Sequence, residues 1–456
     1  MVAARAALGD NDAAMKRLDF IFFDAGGGHR SAATALQRVI EQQGRGWQIR
    51  LVNLQEVLDS VDIVRRVTGL RLQDTYNLLL RKGWTLGSAQ LLRVLHAFIR
   101  LYHGSIARML QDTWRDGQPD MVVSFVPHFN RALSESYQAA FPGRPFVTVL
   151  TDFADYPPHF WIERQEQFLI CGTARAAQQA RELGHSPERV FRTSGMILPP
   201  RFYEPISVDR RGERKRLGLE PDLPTGLVMF GGHGAAVIRR IVERLDRSNL
   251  ATWPGSAGVP PAFVTLTIDD CRLPIEEKRS GLLPLLQSSI VNQQSSIQER
   301  AGRPRSQVQL IVICGKNERL AEGLKQRRWR LPIHVEGFTR EVPTFMHLAD
   351  FFIGKPGPGS ISEALAMKLP VIVELNSWTL PQERYNVEWV REKGAGVVVP
   401  NFREITSAVH ELLEPARFAQ YRSHAAAIEN RAVFEIPEIL ARILEGAEAQ
   451  RGLPRV

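Results

Sequence analysis

Two stretches of this chain repeat one pattern, an apolar run that ends in a glycine loop and passes into a helix. The first is Leu18 to Asp24 (LDFIFFD), followed by Gly26, Gly27, Gly28 and His29, with Ser31 opening a helix to Gln42. The second is Thr225 to Phe230, followed by Gly231, Gly232, His233 and Gly234, with a helix from Ala235 to Leu245. Short continuous apolar runs read as strands buried on both faces, which is how parallel sheets with helical crossovers look in sequence. Further runs extend each half. Ile49–Asn53, Met121–Phe125, Pro145–Thr151 and Gln167–Cys171 follow the first. Val308–Cys314, Ile333–Glu336, Asp350–Ile353, Val371–Glu374 and Gly396–Val399 follow the second. The expectation is an α/β chain of two Rossmann-like domains facing across a cleft. Its 456 residues suit two domains of ordinary size.

The domain boundaries follow from breaks in this rhythm. Residues 1–16 are Ala-rich, have no long apolar stretch and read as a disordered leader. The first domain is expected over 17–200. A Pro-rich connection from Gly195 to Pro205 leads to a second domain over 201–430, and a helix and tail occupy 431–456. Residues 247–306 are rich in Pro, Ser and Gln and repeat Gln-Ser-Ser-Ile. They read as an insertion in a helix-to-strand loop, disordered or forming a small subdomain. No run of about 18 apolar residues marks a spanning helix, so membrane contact is expected to be peripheral.

The chemistry concentrates in Gly354–Glu363 (GKPGPGSISE), which follows the strand at Asp350 and opens a helix at Ser360. A glycine loop entering a helix presents free N–H groups and the positive end of the helix dipole, a site for a diphosphate. The pattern is neither GxGxxG nor GxxxxGK[ST], so it supports neither a dinucleotide fingerprint nor a Walker loop. Gly357, Pro358, Gly359 and Ser360 are the expected phosphate residues, with Gly231, Gly232 and Gly234 opposite. Glu363 can accept hydrogen bonds from ribose hydroxyls, or it can form a capping box with Ser360. Gln382 and Glu383, in the loop after the next strand, can hold sugar hydroxyls or lie in a solvated turn. His29, at the end of the first strand, can take a proton near neutral pH; the alternatives are a helix cap or a phosphate contact. Asp152 is the rival base, or the group that orients His29. No metal ligands and no cofactor are expected: Asp10-Asn11-Asp12 is a chance DxD match.

These segments resemble family 28 glycosyltransferases of the GT-B fold, and most of all the monogalactosyldiacylglycerol synthases. The resemblance rests on GKPGPGSISEALAMKLPVIVELNSWTLPQERYNV, HVEGFTREVPTFMHLAD, Gly315-Lys316-Asn317-Glu318, DAGGGHRSAATAL, PDMVVSFVPHFNRAL and VTVLTDF. It implies that the proline- and glycine-rich loop and its helix hold the UDP diphosphate. It further implies that Glu363 binds ribose, that Gln382 and Glu383 bind the donor sugar, and that the backbone around Phe338 and Thr339 faces uracil. Gly27 and Gly28 then present His29 to the acceptor.

Residues 62–114 depart from the α/β rhythm. Leu91, Leu95, Phe98, Tyr102, Ile106 and Met109 mark one helix face, and Arg93, His96, Arg100 and His103 form a basic stripe, with Trp84 upstream. Basic residues with interfacial aromatics suit anionic lipid; an ordinary docked amphipathic helix is the alternative. The net charge of +9 fits an anionic membrane or a phosphorylated ligand, and no motif supports nucleic acid. Three dispersed cysteines fit a reducing compartment. The expected activity is inverting transfer of galactose or glucose from a UDP-sugar to diacylglycerol, peripherally at the cytoplasmic face of a membrane. The alternatives are another lipid acceptor such as a polyprenyl-linked intermediate, a UDP-sugar 2-epimerase, or a binding scaffold without activity.

Overall fold

The computed structural model describes residues 15–24, 28–59, 88–156, 159–231, 236–248, 250 and 307–452. Two six-stranded sheets organise it, and all of their strand pairs are parallel. The first contains β1 (Lys16–Phe22), β2 (Trp47–Asn53), β3 (Met121–Ser124), β4 (Phe146–Val149), β5 (Phe168–Cys171) and β6 (Val190–Arg192) in the order β2-β1-β3-β4-β5-β6. The second contains β7 (Thr225–Met229), β8 (Gln309–Ile313), β9 (Ile333–Glu336), β10 (Phe351–Gly354), β11 (Val371–Glu374) and β12 (Gly396–Val399) in the order β12-β11-β10-β7-β8-β9. Both are doubly wound Rossmann-type sheets. The strand order reverses between β1 and β3 in one and between β7 and β10 in the other. Ligand crevices open at such reversals, beyond the carboxyl ends of the strands.

The strands are apolar throughout because helices cover both faces of each sheet. On the second sheet, helices Ala236–Arg247, Glu318–Lys325 and Ile405–Leu413 pack on one face. Helices Val342–Leu348, Pro358–Ala366 and Pro381–Glu392 pack on the other. Asp350 locks the start of β10: it accepts from Arg214 Nη2 at 2.8 Å, Arg210 Nη2 at 2.6 Å and the Thr225 amide at 2.8 Å. The connection between the domains is part of the core, since Met196, Leu198 and Phe202 pack with Phe352 and Ile361 of the second domain.

The C-terminal helix Ala432–Gly452 returns to the first domain. Val433, Ile436, Leu440 and Leu444 pack with Leu36, Val39 and Ile40 of helix Gly28–Gln42. Asn430 Nδ2 donates to the Met196 carbonyl (2.9 Å), and the Ser194 amide donates to Glu435 (2.8 Å). Three boundaries differ from the sequence reading. β1 starts at Lys16, inside the expected leader, and Lys16 pairs with Glu448 of the returning helix. The first helix starts at Gly28, not Ser31. β6 is an edge strand of three residues, too short to stand out in sequence.

Residues 251–306 lie outside the described residues, but the ends that flank them meet. The Gln307 amide donates to the Leu250 carbonyl at 2.7 Å. Replacing 251–306 by a short Gly-Ser linker is therefore expected to leave the fold intact. Loop closure costs about 0.6 kcal/mol per doubling of length, so the shortened chain gains about 2 kcal/mol if the segment is unstructured. Thermal melting checks this: a melting temperature equal to or above that of the full chain is expected, and a protein that no longer folds refutes it.

Candidate active site

The donor half of the site is built at the β7/β10 reversal. Gly354 of β10 lies beside Met229 of β7, so the loops leaving these strands are neighbours. Helix Pro358–Ala366 begins two residues earlier than the sequence suggested, with Pro358 at its first position and Gly357 as its cap residue. Proline is well suited there, because its fixed φ fits the helix and its missing N–H bonded nothing anyway. No side chain caps this end. The capping-box alternative fails, because Ser360 Oγ lies inside the first turn and donates to the Gly357 carbonyl at 3.2 Å. The amides of Gly359 and Ser360 precede the first intrahelical bond, Ile361 N to Gly357 O, and stay available to an anion.

Lys355, a residue of the GKPGPGSISE segment with no role expected from sequence, runs across both glycine loops. A Cβ at Gly357 would lie 3.2 Å from its Cε, and one at Gly231 would lie 3.8 Å away. Gly231 also has φ +74°, a conformation side chains rarely tolerate. Gly232 and Gly234 lie outside the described residues. The Lys355 ammonium is 3.2 Å from Glu383 Oε1. Glu383 holds its proton affinity up and Asp152 adds to it, so Lys355 stays charged. Asn386, fully buried, donates to the Pro356 carbonyl at 2.8 Å and so ties the loop to helix Pro381–Glu392. Gln382 has a buried Oε1 with no partner among the described residues, an acceptor that a ligand hydroxyl can satisfy.

Glu363 is partly buried. Burial pushes its carboxyl up to about 7, against the lowering charge of Arg201. Phe338, at the end of β9, is 59% exposed, and Lys316 Nζ lies 5.7 Å from its ring centre. Thr339 Oγ1 accepts from the Glu341 amide at 3.0 Å.

The opposing half comes from the first domain. Asp152 follows β4 and accepts from Trp161 Nε1 at 2.8 Å. Burial pushes it up to about 7, with Glu383 raising it further and Lys355 lowering it. Charges from both domains therefore act on one carboxylate, and Phe153 packs edge-on against Trp389 at 4.8 Å across the same boundary. Asp155 fixes the Trp161 loop by accepting its amide (2.6 Å) and that of His159 (3.0 Å).

His29 sits at the β1/β3 reversal, in the first turn of its helix. Its Nδ1 is 3.2 Å from Thr151 Oγ1, and its ring centre is 5.8 Å from that of Trp161. Burial lowers its pKa to about 4, against a raising hydrogen bond to the Phe125 backbone. The ring is thus neutral at pH 7. Thr151 and Trp161 link it to Asp152. Sequence reasoning missed both, because neither falls in a recognisable spacing.

Of the expected acceptor residues, Gly28 is described and exposed at the start of its helix. Gly27 and Trp84 lie outside the described residues. Arg93 and Arg100 fall in helix Ser88–Gly117, but their side chains are not described. Lower in that helix, Ile106 of the expected face is buried and Met109 half-buried, and Leu110 and Trp114 join Ile106 in the core. His103 does not extend a free basic stripe: its Nε2 lies 2.6 Å from Glu135 Oε2 and ties the helix to Asn130–Ala140. No described helix is long and apolar enough to cross a membrane.

Comparison with known proteins agrees with this arrangement. Residues 29–196 match the sequence model of monogalactosyldiacylglycerol (MGDG) synthase, and residues 284–439 match that of the glycosyltransferase family 28 C-terminal domain. A chloroplast protein of Oryza sativa subsp. indica, described as a probable monogalactosyldiacylglycerol synthase 2, is 28% identical over 416 residues, covering 88% of this chain and 74% of that protein. Among solved structures, Acinetobacter baumannii MurG superposes with a TM-score of 0.53 at 10% identity, covering 94% of this chain and 99% of MurG. A Listeria monocytogenes protein described as a UDP-N-acetylglucosamine 2-epimerase gives 0.52 at 14% identity, covering 96% and 98%; likeness at this level shows the fold alone. Each half thus matches a glycosyltransferase sequence model and the GT-B architecture joins them, so the chain resembles the family 28 glycosyltransferases and, among them, the MGDG synthases.

Proposed function

We propose that this enzyme transfers a hexose, galactose or glucose, from its UDP form to diacylglycerol at a membrane surface, with inversion. The observation that carries the reading is the meeting of two half-sites: Asp152, beside the neutral His29, feels the charges of Lys355 and Glu383 next to an uncapped helix end. The diacylglycerol acceptor is taken from the synthases that this chain resembles.

In the reaction, His29 receives the acceptor hydroxyl proton, and the oxygen attacks the anomeric carbon as the bond to the β-phosphate breaks. One displacement turns an α-linked donor into a β-glycosyl diacylglycerol. The charge that develops on UDP is met by the Gly359 and Ser360 amides, the helix dipole and the Lys355 ammonium. Gln382 and Glu383 hold the sugar, Phe338 and Thr339 flank uracil, and Glu363 holds the ribose. The acceptor enters from the first domain, and Gly27, Gly28, Trp84, Arg93 and Arg100 are the residues whose types suit contact with it and with an anionic, cytoplasmic membrane surface.

The ribose role carries a pH signature. An ionised Glu363 accepts from ribose hydroxyls, so its contribution to UDP affinity is full above about 7 and is lost as pH falls through that value. Glu363→Gln is expected to weaken UDP by about 1.5 kcal/mol, roughly tenfold, at pH 8. It also leaves only the opposite slope, from an Asp152 carboxylate that repels the diphosphate. Calorimetric titration from pH 5.5 to 8.5 reads both; an unchanged profile removes Glu363 from the ribose.

The function itself is tested by incubating the enzyme with UDP-galactose or UDP-glucose and vesicles containing diacylglycerol, then analysing the lipids by mass. A hexosyl diacylglycerol with a β linkage is expected. Release of an epimerised UDP-sugar, or no lipid product from either donor, refutes the assignment.

A further inference from the structure

We propose that a groove on the second domain, distinct from the donor site, binds a phosphate-bearing anion. The groove is a cavity of about 360 Å³ lined by Arg240, Glu243, Arg244, Arg247 and Ser248 from one side and by Arg403 and Thr406 from the other. Its walls are helices Ala236–Arg247 and Ile405–Leu413, which pack side by side on the sheet face opposite helices Pro358–Ala366 and Pro381–Glu392.

The arrangement follows from helical spacing. Ile238, Ile241, Val242 and Leu245 are fully buried in the core. Positions 240, 244 and 247 then project together on the outer face, spaced by four and three residues. The stripe is held by a well-packed helix, so its charges cannot disperse by moving the backbone. Arg403 is added by the short turn Phe402–Glu404, whose Phe402 is anchored edge-on to Phe230 at 5.3 Å.

Four guanidinium groups thus share one concavity. None of the four forms an ion pair with a carboxylate among the described residues. Glu243, the one acid lining the groove, is engaged by Arg327 Nη1 at 2.6 Å. Thr406, in the first turn of helix Ile405–Leu413, adds a hydroxyl near the positive end of that helix dipole. Like charges held close together in a free protein repel, and an anion with several oxygens converts that repulsion into attraction. Guanidinium forks match phosphate oxygens in pairs. Arg240 to Arg247 spans seven residues, or about 10 Å along the helix, which suits a single phosphorylated group or a diphosphate.

The phosphate can belong to a soluble compound or to a lipid headgroup, and one experiment separates the two. With UDP at saturation to fill the donor site, inorganic phosphate and pyrophosphate are titrated calorimetrically into the full chain. The same protein is then sedimented with phosphatidylcholine vesicles, with and without phosphatidate. Both assays are repeated on Arg244→Gln/Arg403→Gln, whose folding is checked by its melting temperature and UDP affinity. Each charged hydrogen bond removed weakens binding by about tenfold or more. Loss of pyrophosphate binding in the double variant supports the groove with a soluble ligand. Loss of phosphatidate-dependent sedimentation alone supports it with a headgroup. If the double variant, with UDP binding intact, behaves like the wild type in both assays, or the wild type binds in neither, the proposal is overturned.

Discussion

Replacing His29 by alanine is expected to lower kcat by about 10²- to 10⁴-fold, the usual contribution of a positioned general base, while UDP affinity changes by less than a few-fold. The split follows from where the ring sits. The partners of His29 among the described residues are Thr151, Trp161 and the Phe125 backbone, all in the first domain. With its pKa lowered to about 4, the imidazole is almost wholly in its proton-accepting form at pH 7. The arriving diphosphate raises its proton affinity, because a nearby anion favours the imidazolium. Basicity therefore increases when the donor is bound. Steady-state kinetics with calorimetric UDP binding measure the split. Should the variant keep most of its kcat, the proton passes to Asp152, whose pKa of about 7 gives it the next best match. Asp152→Asn would then abolish turnover.

The second large effect is expected from Lys355→Met. This substitution keeps the aliphatic stem that crosses Gly231 and Gly357 but removes the ammonium. A charged hydrogen bond to phosphate is worth about 1.5–3 kcal/mol, so UDP should bind about 10- to 100-fold more weakly. A second consequence is electrostatic. Lys355 lowers the pKa of Asp152 and pairs with Glu383, so its loss leaves two neighbouring carboxylates without their shared cation. The Asp152 pKa then moves above about 7, and the fall in UDP affinity that its ionisation causes moves to higher pH with it. Lys355→Arg should restore most of the pH profile. A methionine variant with wild-type UDP affinity would show that the ammonium does not meet the diphosphate.

The parts of this architecture that were legible in sequence are those fixed by local chemistry. β8, with the run Gln-Leu-Ile-Val-Ile, is buried at every position, and such a run reads as a strand in any context. The helix begins at Pro358, two residues before the start at Ser360 that sequence suggests: Ser360 resembles a cap, while a proline in a glycine loop looks the same whether it opens a helix or lies in a turn. Lys355 lay within the quoted loop, but its partners are Glu383, 28 residues on, and Asp152 in the other domain. Pairings over that separation depend on the closed fold and leave no local trace. The same holds for Trp161, whose indole joins His29 to Asp152 only once Asp155 has shaped the intervening loop. His103 shows the reverse case. Helical spacing puts it in line with Arg93, His96 and Arg100, yet the fold supplies Glu135 as its partner.

A crystal structure of the enzyme with UDP tests the central claim most directly. The phosphate oxygens should lie within hydrogen-bonding distance, about 3 Å, of the Gly359 and Ser360 amides and the Lys355 ammonium, on the side of the cleft that faces His29 and Asp152. UDP with its diphosphate bound anywhere else, such as the arginine groove, while that helix end stays empty, would contradict the account.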